Sequence, residues 1–210
     1  MGLENLSANA LAVLYSLPAL PIFGAAWFSQ IRSDRCVRQF TDVDAGVASD
    51  VAIAAFLKEV DLPDVEVVKS ENYMQNEYVA AQNKILLSPD TLGRRDVASV
   101  ALALRAGAQA VAERRTPEKP SRARALHAAE NIAFWGAFSI LAFGIMSSTL
   151  ATTILGYALV AFVYVLWRVR TKILREIDSV ALKFAKTNPT IPQETSRLVE
   201  QVLKAERVKL

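Results

Sequence analysis

At 210 residues the chain is long enough for one ordinary soluble domain, but 52% hydrophobic residues and a mean hydropathy of +0.24 argue for a membrane protein. The net charge of +3 and a pI near 9.1 would suit a nucleic-acid binder. The Lys and Arg residues gather beside apolar stretches rather than along one soluble face, however, so nucleic acid is excluded as the expected partner.

The first uncharged stretch runs from Asn5 to Ile31, with Leu11, Val13, Leu14, Leu17, Leu20, Ile22 and Phe23 as its apolar body. A transmembrane helix is predicted over residues 8–31, kinked at Pro18 and Pro21. A secretory signal peptide is the rival reading. No basic segment precedes the run, and it exceeds the ~7–15 apolar residues of a signal, so a retained anchor is expected. Cys36, the single cysteine, is read as an inert thiol, with palmitoylation as the alternative.

Residues 32–130 read as a small α+β domain. Asp50 to Val60 has helical spacing, with Val51, Ile53, Ala54, Leu57 and Val60 on its apolar face. Val65 to Lys69 reads as a strand, and Tyr78 to Leu87 as a second one, interrupted at Ala81-Gln82-Asn83. Asp96 is a plausible N-cap for a long core helix carrying Val97, Val100, Ala101, Leu104, Ala108 and Val111 on one face and closing at Glu113-Arg114-Arg115.

From Asn131 to Trp167 there is no Asp, Glu, Lys or Arg over 37 residues, nearly twice the ~20 that one helical span needs. A transmembrane hairpin over 131–167 is predicted, with arms 132–146 and 154–167 and a hydroxyl-rich fold-back over 147–153. The C-terminal region, 168–210, reads as two helices, Thr171 to Lys186 and about Gln193 to Arg207. The second is amphipathic. Its face of Leu198, Val199, Val202 and Leu203 either packs on its own domain or docks on a partner.

Orientation follows from the basic residues at the span ends. Arg32, Arg35 and Arg38 follow the first span; Arg114, Arg115, Lys119, Arg122 and Arg124 precede the hairpin; Arg168, Arg170, Lys172 and Arg175 follow it. All three clusters lie on one side, which predicts an external N-terminus and a cytoplasmic soluble part. Trp27, Trp135 and Trp167 then share the cytoplasmic interface as an aromatic belt.

The order of these elements, with Lys84-Ile85-Leu86-Leu87-Ser88 closing the strand pair and an alanine-rich helix after it, resembles the bacterial membrane-bound neutral zinc metallopeptidases of the YugP-like type. The likeness covers roughly residues 8–205. In that family the long helix bears H-E-x-x-H, two zinc-binding histidines one turn apart with a glutamate that activates the metal-bound water. Aligning that motif with Ala103-Leu104-Arg105-Ala106-Gly107-Ala108 puts Leu104 and Ala108 at the histidine positions and Arg105 at the glutamate. Leu and Ala offer no lone pair to a metal, and a protonated arginine is no base.

The family's third ligand, a glutamate after the hairpin, corresponds to Glu176. His127 is the single histidine, without a ligand at one-turn spacing, and reads as an interfacial polar residue. The resemblance therefore implies a degenerate, zincin-like helix with no metal and no cofactor. A carboxylate left without its cation needs another positive charge. An Arg105–Glu176 ion pair in place of zinc is expected, the alternative being that both face solvent.

The expected fold class is an α-helical membrane protein with a small α+β cytoplasmic domain and three transmembrane helices, one N-terminal and then a hairpin. The expected function is that of a non-catalytic pseudopeptidase scaffold, an accessory subunit of a larger complex in the bacterial inner membrane. Its expected partners are other membrane protein subunits and the lipid bilayer, with no small-molecule substrate. The competing readings are a hydrolase with an unconventional site and, less suited to uncharged spans, a transporter or channel element.

Overall fold

A computed structural model describes residues 19–73, 75–147 and 149–208. The chain is mostly helical with one three-stranded sheet, and it divides into two compact units. The first combines residues 31–123 with the chain from Thr171 on, and is the α+β unit; the second contains Arg124–Arg170 and residues 19–30.

Helix α1 spans Ala19–Gln39, so the chain stays helical past Ile31 through all three of Arg32, Arg35 and Arg38. Residues 8–18 of the predicted anchor, Pro18 among them, lie outside the described residues, as does the side chain of Trp27. In the α+β unit, α2 spans Ser49–Glu59. Its inward face is Ala52, Ile53, Phe56 and Leu57, whereas Val51 and Ala54, expected inside, are exposed. The one-residue shift follows from Phe56, whose large ring seats edge-on against Phe184 with centroids 5.1 Å apart and fixes the helix rotation.

Strands β1 (Glu66–Lys69), β2 (Glu77–Val79) and β3 (Lys84–Leu87) form the sheet in the order β1-β3-β2. β3 runs parallel to β1, with Val67 opposite Ile85, and antiparallel to β2, with Tyr78 opposite the same Ile85. The interruption expected after Tyr78 is a 3₁₀ turn over Ala80–Gln82 followed by Asn83 at φ +53°, a left-handed conformation that Asn tolerates better than most residues. The Asn83 amide donates to the Asp64 carbonyl and carboxylate, and its oxygen accepts from the Tyr78 hydroxyl and the Arg114 guanidinium. The turn is thereby tied to both the preceding loop and the core helix.

That core helix, α3, spans Val97–Arg115. Asp96 caps it as predicted, its carboxylate accepting from the Ser99 N–H and hydroxyl at 2.8 Å each. Val97, Val100, Ala101, Leu104, Ala108 and Val111 are all buried. Each of the larger side chains among them contributes about 1.5–3 kcal/mol by leaving water. Gly107 is required by its neighbour: a Cβ there would come within 2.7 Å of the Phe56 ring. α3 packs on α2, on the sheet, and on α6 (Gln193–Val208).

The other unit is dominated by parts of two long helices, α4 (Glu118–Met146) and α5 (Leu150–Thr187), joined by residues 147–149. The fold-back is shorter than expected because Leu150–Thr153 are already helical. Thr149 starts that turn, its carbonyl accepting from the Thr153 N–H at 3.0 Å and from the Thr153 hydroxyl at 2.9 Å. Nor is Thr171 to Lys186 a separate helix: no Gly or Pro interrupts the sequence between Gly156 and Pro189, and α5 continues through it. The two arms touch along a narrow seam. Added Cβ atoms would lie 2.6 Å from the Thr153 nitrogen at Gly144 and 2.8 Å from the Leu141 Cα at Gly156, so both glycines permit backbone-close packing.

Both helices are long and apolar enough to cross a membrane, with windows of mean hydropathy 1.4 and 2.0 of which only 22% and 17% are buried. Ile132, Trp135, Phe143 and Met146 on α4, and Ile154, Phe162 and Val165 on α5, are exposed large apolar side chains. Two candidate spans are therefore described, against the three predicted.

Candidate functional site: a buried carboxylate between two arginines

Leu104 and Ala108, which the resemblance would set at the positions of zinc-binding histidines, are fully buried in the apolar core. Arg105, between them, points away from that core. Its Nε stands 3.4 Å from Oδ1 of Asp178, a side chain with no exposed surface on α5. The other carboxylate oxygen, Oδ2, accepts from Arg207 Nε on α6 at 3.0 Å. Three helices thus bring one anion and two cations together, and Asp178 Oδ1 is left without a hydrogen bond.

The expected Arg105–Glu176 pair is corrected by this arrangement. Two residues along a helix turn the side chain by about 200°. Asp178 consequently falls on the buried side of α5 while Glu176 is exposed, where it accepts from Lys119 Nζ at 2.7 Å. Asp178 has no place in the zinc-site resemblance. The signal that identifies it is the stripe Leu174, Ile177, Ala181, Phe184 and Ala185, within whose apolar arc Asp178 falls. A carboxylate inside an apolar stripe needs partners.

Burial pushes the Asp178 carboxyl above its ordinary range, against the pull of Arg105 and Arg207. Glu176 is displaced the other way, lowered by its bond to Lys119. On α6, bonds from Lys204 and Lys186 hold Glu200 down at about 2. Within the Arg105–Asp178–Arg207 cluster neither arginine serves as a base, and neither is a nucleophile. Its chemistry is that of an ionic cross-link.

Zinc does not fit. The two histidine positions present apolar side chains packed in the core, and the third position, Glu176, is occupied by an ammonium group on the surface. His127 is exposed on α4. The C-terminal face is also resolved: Val199, Val202 and Leu203 are fully buried and Leu198 partly so, packed on the helix's own unit rather than left free for a partner. In the hairpin unit a second buried pair was missed, Arg170 Nε donating to both Glu130 oxygens at 2.9 Å.

No protein-family model, curated protein or solved structure matches the chain.

Proposed function

We propose that this protein is a catalytically inactive, pseudopeptidase-like membrane protein that serves as a structural or accessory subunit of a larger membrane complex. The supporting observation is the fate of the Leu104–Ala108 segment: where a metallopeptidase would place ligands and base, this chain places sealed apolar packing and an arginine committed to Asp178. Apolar side chains and a protonated arginine offer nothing to activate a hydrolytic water. The exposed apolar surface of the hairpin supports the second half of the reading, since lipid and neighbouring helices are what such a surface accommodates.

In this reading the protein is multi-pass in a bacterial inner membrane, with its N-terminus outside and the α+β unit cytoplasmic, and the Asn5–Ile31 stretch supplies a third span. The membrane fraction is the place to test it. Affinity purification in mild detergent after cross-linking should recover the chain in an assembly well above its own mass of 23.0 kDa, with less than a tenth of an equivalent of zinc by elemental analysis. A stable monomer, or one zinc per chain with peptide hydrolysis abolished by chelation, overturns the reading.

A further inference from the structure

We propose that Arg32, Arg35 and Arg38 form a docking stripe for the phosphate headgroups of an anionic lipid bilayer, an inference that rests on the membrane reading above. The three residues are exposed and occupy a single arc of α1 at three-residue steps. None makes an ion pair with a described residue, and Asp34, the one acid among them, is half-buried. The stretch from Arg32 to Arg38 holds three cations and one acid, so it carries excess positive charge.

The opposite side of the same helical segment is fastened down. Ser33 is buried and its hydroxyl donates to the Ala205 carbonyl at 2.7 Å, while Val37 packs against the core. Ser33 and Val37 lie one turn apart, which aims Arg35 directly away from the docked side. The backbone of the stripe is held on a fixed surface, so little backbone order has to be created when a ligand meets it.

Its place along the chain selects the occupant. The charge-free run of Asn5–Ile31 ends one residue before Arg32. Seven residues of helix carry the chain only about 10 Å from Ile31 to Arg38, and the polar layer on each face of a bilayer is some 5–8 Å thick. Guanidinium groups on flexible stems therefore reach phosphates from all three positions. Planar, permanently charged forks suit phosphate oxygens better than ammonium groups do. Nucleic acid or an acidic protein would have to compete at a depth that headgroups already fill.

The test uses the full-length protein reconstituted in vesicles of mixed phosphatidylglycerol and phosphatidylcholine, each lipid spin-labelled in turn so that its association with the protein surface is measured. At low salt the wild type should prefer the anionic lipid, and raising the salt should weaken that preference. The variant Arg32→Gln/Arg35→Gln/Arg38→Gln should lose the preference by at least about tenfold, since each cation near the surface carries roughly a kilocalorie of attraction. Arg197→Gln, an exposed arginine on α6, should leave it unchanged. The triple variant retaining wild-type selectivity, or Arg197→Gln abolishing it equally, overturns the proposal. Failure of the wild type to enter either bilayer instead removes the membrane reading on which it stands. Circular dichroism melts of all three proteins check that the fold is intact.

Discussion

Two of the buried ionic clusters among the described residues are built on different principles. In the hairpin unit, a single Nε of Arg170 serves both carboxylate oxygens of Glu130. In the α+β unit, Asp178 is shared between two arginines from two other helices and is left with an oxygen that has no hydrogen bond. The second sets two cations against one anion. Buried ion pairs repay their desolvation poorly, so a cluster with surplus charge is better understood as specifying which helices meet than as adding stability.

The strongest way to break this comparison is to remove the shared anion. Asp178→Ala leaves two guanidinium groups facing each other across three helices, and should cost about 3–5 kcal/mol. Denaturant unfolding of the α+β unit, followed by far-ultraviolet circular dichroism, measures it. By contrast Asp178→Leu combined with Arg105→Met and Arg207→Met should recover most of that loss, because packing then replaces ions. A triple variant as unstable as Asp178→Ala would show that the charges stabilise in their own right.

Glu130→Ala should cost less, about 2 kcal/mol, because the long Arg170 side chain can bend towards water or headgroups at the end of a span. Thermal unfolding in detergent provides the comparison.

The seam of the hairpin ranks next. Gly156→Ala sets a Cβ against the Leu141 backbone, which cannot move aside, and should destabilise the hairpin by roughly 1–3 kcal/mol. Gly136→Ala meets nothing within 4 Å and should be neutral or stabilising by up to about 1 kcal/mol through helix propensity. Scanning both by thermal unfolding in detergent separates packing from propensity.

Acid titration gives the smallest effect and opposes the two kinds of carboxylate. Glu200, held at about 2 against an ordinary 4.5, lends stability that is present above 4.5 and lost as the pH falls towards 2. Asp178 has its proton affinity raised by folding, so its titration favours the folded state as the pH drops through its raised value towards 3.8. Glu200→Gln should flatten the acid limb of a stability-versus-pH curve, whereas Asp178→Asn should steepen it.

The parts of this fold that the sequence disclosed are those set by neighbours a turn or two away. The buried face of α3, its Asp96 cap and the uncharged hairpin all follow from local spacing. Local spacing also located the turn after Tyr78, though not its geometry. What stayed hidden depends on partners distant along the chain. The burial of Asp178 requires Arg207, 29 residues on, and the rotation of α2 depends on Phe184 meeting Phe56. The family likeness pointed to the right arginine, Arg105, and to the wrong carboxylate, because it fixed attention on Glu176 rather than on the helical phase that separates it from Asp178.

Trp135 and Trp167 sit on the two hairpin arms, and residues 31–123 and 171–210 contain no tryptophan at all. Excitation near 295 nm therefore sees the apolar unit and is blind to the α+β unit, whose tyrosines Tyr73 and Tyr78 respond only at shorter wavelength. Tryptophan emission thus follows the apolar unit by itself, and setting it beside a whole-molecule signal such as circular dichroism makes the order in which the halves come apart readable from a single unlabelled sample.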